Sequence, residues 1–271
     1  MFLLDEYYSN LNFLKKKYRK LLTNNFLSIN ELERYSKQKE SKMFFDLDNL
    51  ILLCEDSDVQ RVYFSTQSFK NFLSAVAVLR KQIKGVAVLE YISKEMFTQN
   101  EINNFKAEGI KLYAVLNKWQ TGNLNFYDQL DDETLTFNVA SHQDLDGIRE
   151  LLISSFDKFV SHLPNSDMLQ KLIYEDLIYC CYYKERIVGV ICFERIGTNG
   201  LYLYQIAISP ILKGTGVGYK LAQFAYRRFP GYKVFTSWVE ENNLMSENLH
   251  RKLGFEKMSL KTMVFLMNCQ E

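Results

Sequence analysis

Three glycines fall within five residues, Gly214, Gly216 and Gly218, in the run Lys213-Gly214-Thr215-Gly216-Val217-Gly218. Glycine lets the backbone turn tightly and brings N–H groups close to a ligand without side-chain interference. The helix expected from Gly216 has an apolar face of Val217, Leu221, Phe224 and Ala225. Its first-turn amides lack intrahelical acceptors and sit at the positive end of the helix dipole, which suits a phosphate or pyrophosphate. The strand expected over Leu201–Ile208 ends at Ser209-Pro210, because proline cannot donate to a sheet ladder. A glycine-rich turn alone is equally an ordinary strand-to-helix connection, so the elements around it decide its meaning.

Those elements alternate. The lysine-rich N-terminal stretch, to about residue 42, carries Leu11, Leu14, Tyr18, Leu21 and Leu22 at helical spacing and reads as helix. Short β-type runs follow at Asn49–Glu55 and Arg61–Thr66, then a helix at Phe69–Gln82, a strand at Val86–Ile92, a helix near Gln99–Glu108 and a strand at Lys111–Lys118. Strands alternating with helices indicate an α/β unit. The polar, turn-rich segment Thr121–Asp132, with Asp128, Asp131 and Asp132, marks the expected boundary between a domain over 1–130 and a second over 134–271. The second opens with a strand at Leu135–Ala140 and a helix capped by Ser141, followed by a helix from Ser166 to Asp176. Three strands, Ile178–Lys184, Arg186–Glu194 and Leu201–Ser209, read as an antiparallel meander. After the glycine loop come helix Gly216–Phe229, strand Lys233–Val239, helix Leu244–Leu253 and two closing strands near Phe255–Met258 and Lys261–Met267.

Composition narrows the function classes. The 271 residues are 47% hydrophobic and 24% charged, enough for two cores of about 130 residues each. With 33 basic against 32 acidic side chains, the net charge of +1 offers no long-range attraction for nucleic acid or an anionic membrane. Asp5 and Glu6 follow a four-residue apolar start, so a secretory leader is not expected, and no run approaches the ~20 apolar residues of a membrane span. A cytoplasmic protein is expected. Cys54, Cys180, Cys181, Cys192 and Cys269 lack metal-type spacing and read as reduced packing residues. No Ser-His-Asp order, HExxH run or metal-ligating cluster is present, so no metal is expected.

The run IAISPILKGTGVGYKLAQFA resembles the signature of the GNAT acyltransferase superfamily, Gln/Arg-x-x-Gly-x-Gly/Ala. Lys213, Gly216 and Gly218 fill it, lysine replacing the usual glutamine or arginine. Further on, NNLMSENLHRKLGFEK is similar to the family's second marker, matched by Asn243, Ser246, Leu249, Lys252, Leu253, Gly254 and Phe255. SHQDLDGIRELL resembles the domain's opening helix. The resemblance spans about Thr136 to Met267. It implies a mixed, mostly antiparallel α/β sheet flanked by helices, with acetyl-CoA as cosubstrate and an amine of a small molecule or peptide as acceptor. Ile206, Ala207 and Ile208 would then face the pantetheine. Lys213, Gly214, Thr215, Gly216, Val217, Gly218 and Tyr219 would enclose the pyrophosphate, with Asn243, Ser246 and Lys252 alongside.

The resemblance also locates the acid–base groups. Where the family commonly has an acidic tyrosine, counting back from Phe255, this chain has His250. Histidine can protonate a thiolate or act as base through water, over a different titration range. Tyr204, with Tyr202 two residues before it, is the alternative acid. Glu240, Glu241 and Glu194 are candidate bases, and His142 and His162 match no position. A catalytically impaired acyl-CoA-binding sensor or assembly module is the competing reading. Aminoacyl transfer from tRNA, a third reading, runs against the near-neutral charge and the intact glycine loop. The first half follows a similar element order, and NNFKAEGIKLYAVL echoes the second marker through Gly109-Ile110. It reads either as a degenerate copy of the same fold or as an unrelated helper domain. Its Arg61–Thr66 strand passes through Gln67-Ser68 into a helix without glycine, so it holds no phosphate loop.

Overall fold

In the computed structural model, which describes residues 2–56, 58–126 and 134–268, the lysine-rich start is not one helix. It forms α1 (Leu4–Lys17), a two-residue strand β1 (Leu22–Thr23) and α2 (Ile29–Lys37). The break is local: Ser28 caps α2 in a reciprocal box with Glu31, and Thr23 and Asn24 turn their polar side chains onto a sheet. Asp128, Asp131, Asp132 and Cys269 lie outside the described residues. The chain divides into two compact units, residues 2–115 with 261–268, and residues 116–260.

The first unit continues with β2 (Lys42–Phe45), β3 (Asn49–Asp56), β4 (Val59–Thr66), α3 (Phe69–Arg80), β5 (Val86–Ser93), α4 (Gln99–Ala107) and the start of β6 (Ile110–Thr121). Strands β2, β3 and β4 pair antiparallel, β5 joins β4 in parallel, and residues 261–268 pair antiparallel with β5. Because strand side chains alternate between faces, β3 serves two cores. Ile51 and Leu53 pack with Phe64, Phe72, Phe105 and Phe265 under α3 and α4. Leu50, Leu52 and Cys54 pack with Leu14, Leu32 and Tyr35 of α1 and α2.

The parallel β4–β5 pairing covers only Gln60–Val62 against Ala87–Leu89. Beyond it, Asn24 bridges the two strands. Its Nδ2 donates to Val62 O at 2.9 Å and Glu90 O at 2.7 Å, and its Oδ1 accepts from Phe64 N at 2.6 Å. Thr23 adds a bond from Oγ1 to Phe64 O, and β1 pairs with β4 at Leu22↔Thr66. The splay of this parallel pair is therefore closed by the chain's own N-terminal segment. Replacing Asn24 by alanine orphans buried backbone groups on both strands and lowers this unit's stability by about 2 kcal/mol. Hydrogen exchange checks this: amides of β4 and β5 exchange faster, while those of the second unit do not change.

The second unit contains β7 (Leu135–Val139), α5 (Leu145–Ser155), α6 (Ser166–Tyr174), β8 (Ile178–Tyr183), β9 (Arg186–Ile196), β10 (Gly200–Ile208), α7 (Val217–Tyr226), β11 (Val234–Glu240) and α8 (Leu244–Lys252). Ser141 and Asp144 form a capping box on a short turn leading into α5. Strands β8 to β10 form the expected antiparallel meander, and β7 pairs antiparallel with β8. β11 joins β10 in parallel, and residues 116–121 of β6 pair antiparallel with β11. Phe193, Leu221, Ala225, Tyr226 and Leu253 lie in its core. The chain ends in one strand, β12 (Glu256–Asn268), where two were expected. No glycine, proline or asparagine lies between Glu256 and Met267, and Ser259 alone does not turn the backbone. Cys54, Cys180, Cys181 and Cys192 are buried, reduced cysteines.

Candidate functional site

The site begins where β10 and β11 part. Their parallel pairing runs from Gly200↔Val234 to Leu203↔Ser237 and then stops. From there β10 stays on β9, from Gln205↔Cys192 to Ile208↔Gly189, while β11 stays on β6 down to Glu240↔Leu116. The register against β9 shifts between Leu203 and Gln205, which makes Tyr204 an extra residue in a β-bulge. The splay opens into a cavity of about 580 Å³, within the range of small-molecule sites.

At one end lies the glycine loop. Gly214 and Gly216 have φ of +81° and +88°, and nothing lies within 4 Å of a Cβ built at either. Glycine is needed there for backbone conformation rather than for space. Gly216 caps α7 in this left-handed geometry. The amides of Tyr219 and Lys220 donate to Gly216 O, at 3.1 Å each. Among the described residues nothing accepts from the amides of Gly214, Gly216, Val217 or Gly218. Lys213 and Lys252 line the same cavity, and the Lys252 ammonium stands 4.1 Å from the Tyr219 ring centroid. These four donors, two cations and a helix start make an arrangement chemically suited to an anion.

Of the residues expected at the cofactor, Ile206, Ala207, Ile208, Lys213, Gly214, Gly216, Gly218, Tyr219, Asn243, Ser246 and Lys252 line the cavity; Thr215 and Val217 do not. The Val217 side chain is in the core, and Thr215 Oγ1 donates back to Leu212 O at 2.8 Å. Asn243 caps α8 by accepting from Ser246 N at 3.1 Å.

The three expected catalytic residues also line the cavity, in unlike states. Glu240 is exposed at the end of β11. Tyr204 donates its hydroxyl to His162 O, the same carbonyl that accepts from Gln205 Nε2 at 3.3 Å. Adjacent strand residues normally face opposite sides; the bulge lets these two reach one acceptor. His250 is 0% exposed, packed 5.1 Å from Phe255 and 5.9 Å from Trp119 between ring centroids. Its Nδ1 donates to Ser246 O at 2.7 Å, which leaves Nε2 as a bare acceptor, buried and without a partner among the described residues. Burial pushes its pKa down to about 4, the Ser246 bond opposing only in part, so the ring is neutral near pH 7. Of the two roles histidine offered, a proton donor at neutral pH does not fit this state. Tyr202, Glu194, Glu241, His142 and the His162 side chain do not line the cavity.

Residues not anticipated include Gln205, only 5% exposed, with Oε1 unpartnered among the described residues. A lone glutamine in the apolar run Leu203–Ile208 was the available signal. Phe156, Asp157, Val160 and Ser161, from the segment between α5 and α6, form another wall, with Leu116 and Trp238. The described residues hold no cluster of metal ligands and no helix long and apolar enough to cross a membrane.

Residues 145–255 match the family described as Acetyltransferase (GNAT) family. No curated protein matches the sequence. Among solved structures, a GCN5-related N-acetyltransferase from Sphaerobacter thermophilus is similar with a TM-score of 0.61 at 12% identity, covering 91% of this chain and 87% of its own. A GNAT-family acetyltransferase from Colwellia psychrerythraea gives 0.51 at 13% identity, over 97% of each chain. A tandem GNAT protein from the clavulanic acid biosynthesis pathway gives 0.53 at 9% identity, over 83% and 80%. At these identities the likeness is one of fold, and its extent is consistent with a tandem arrangement.

Proposed function

We propose, from the match of residues 145–255 to the GNAT acetyltransferase family, that the chain is an N-acyltransferase moving an acetyl group from acetyl-CoA to a primary amine of a small molecule or peptide. The observation that carries the reading is the row of unengaged amides at the start of α7, opening onto the splay of β10 and β11. A pyrophosphate there is held by backbone donors and the helix dipole, and Lys213 and Lys252 offset its charge. Ile206, Ala207 and Ile208 lie on the edge of β10 that β11 has left, so their backbone can bond pantetheine amides as an added strand would.

The amine nitrogen attacks the thioester carbonyl carbon, the new C–N bond replaces C–S, and the sulfur leaves with the bonding pair. Glu240 takes the proton that the nitrogen loses, and Tyr204 supplies the proton the sulfur takes up, releasing the His162 carbonyl as it does so. Proton donation falls to Tyr204 because the His250 ring, although it borders the cavity, is fully buried and neutral near pH 7. The buried, reduced cysteines suit a reducing compartment, and the cytoplasm is the location this reading assigns.

Calorimetry with acetyl-CoA and thiol release with a panel of primary amines test the reading. Saturable heat and amine-dependent release are expected; no heat with acetyl-CoA overturns it. Binding without turnover on any amine supports the sensor instead, a reading favoured by the sealed state of His250. Tyr204→Phe keeps acetyl-CoA affinity and lowers kcat at least ten-fold, measured by the same release.

A further inference from the structure

The cavity is electrically two-ended. Its positive groups, Lys213, Lys252 and the unengaged amides, belong to the glycine loop and the end of α8. Lys252 closes a nine-residue helix, so it lies about 13 Å along the axis from the start of α8 near Glu240. The carboxylates of the wall are Glu240 and Asp157.

Gln205 lines the same cavity. One N–H of its amide donates to His162 O, and its Oε1, an acceptor only, has no partner among the described residues. A buried acceptor without a donor is costly, and a site keeps one where a ligand supplies the N–H. The same carbonyl, held by Tyr204 and Gln205 together, ties the segment bearing Asp157 to the catalytic strand. The surfaces between the polar groups, Phe156 and Val160, are apolar.

Resting on the acyltransferase reading above, we propose that the acceptor is a primary amine carrying a second cationic group on a short apolar chain, an alkane diamine or its longer homologues. The reacting nitrogen meets Gln205 Oε1 and Glu240, the methylenes lie against Phe156 and Val160, and the distal ammonium rests on Asp157. An acceptor with a distal carboxylate meets like charge instead.

Three probes of similar length isolate the distal charge: 1,4-diaminobutane, n-butylamine and 4-aminobutanoate, assayed by thiol release from acetyl-CoA. The expected kcat/KM falls in that order, with the diamine about ten-fold above butylamine, the size of one charge-assisted contact. Asp157→Asn keeps the oxygen that accepts from Phe159 N at 2.8 Å. It removes the diamine's advantage by raising its KM, so that the diamine-to-butylamine ratio of kcat/KM falls to about one. Equal rates, a preference for 4-aminobutanoate, an unchanged ratio in Asp157→Asn, or three inert amines on a protein that binds acetyl-CoA overturn the proposal. Failure to bind acetyl-CoA at all overturns the acyltransferase reading instead.

Discussion

Gly216→Asp weakens acetyl-CoA uptake at least 100-fold while the protein stays folded. Two effects act at this position, and they separate. The first is conformational: at φ +88° an L-residue costs about 1 kcal/mol, borne by folding stability and not by the ligand. The second is electrostatic. A carboxylate at the N-cap of α7 points a negative charge at the donors of Gly214, Val217 and Gly218. Against a phosphate about 4 Å away it is repelled by roughly 4 kcal/mol at an intermediate dielectric. That exceeds the ~2.7 kcal/mol of a 100-fold loss. Since no atom lies within 4 Å of a built Cβ, neither variant meets a steric clash. Gly216→Ala therefore shares the small loss of thermal stability and keeps its affinity, whereas Gly216→Asp loses both. Calorimetry on the three proteins decides; acetyl-CoA binding to Gly216→Asp at wild-type strength removes the helix start from the site.

What could be read from the sequence was local. The glycine loop, the Asn243 cap and the meander of β8 to β10 each follow from neighbours in the chain, through propensity, capping and alternation, and the expected fold class is the one observed. What could not be read was long-range. Asn24 looks like one polar residue in a lysine-rich stretch, yet its side chain joins Val62 O to Glu90 O, backbone groups far along the chain. No periodicity encodes that. Gln205 is likewise a single letter whose meaning depends on a bulge one residue earlier and on the carbonyl of His162.

His250 belongs to the same class. Its position within the second marker suggested a reacting group, and only the packing of Trp119 and Phe255 reveals a ring closed to solvent. Two measurable consequences follow, one of them thermodynamic. The folded ring titrates near pH 4, against an ordinary value of 6.5. Above pH 6.5 neither state binds the proton. As pH falls from 6.5 to 4 the unfolded chain takes up a proton that the folded ring refuses, so stability is lost over that window. At 1.36 kcal/mol per pH unit the loss reaches about 3 kcal/mol by pH 4.

His250→Phe abolishes this component. Phenylalanine gives up the bond to Ser246 O, about 1 kcal/mol, but also removes the unpartnered Nε2, whose burial costs a similar amount. The variant is accordingly close to wild type at pH 7.5 and about 3 kcal/mol more stable at pH 4. The Glu247–Arg251 ion pair on the same helix is present in both proteins and cancels in the difference. Urea denaturation of both proteins at the two pH values supplies the comparison, and a difference independent of pH shows that the ring is not sealed. Turnover is the second consequence. If Nε2 is walled off from the cavity, His250→Phe retains kcat within about three-fold, whereas a hundred-fold fall returns the proton transfer to the histidine and takes it from Tyr204.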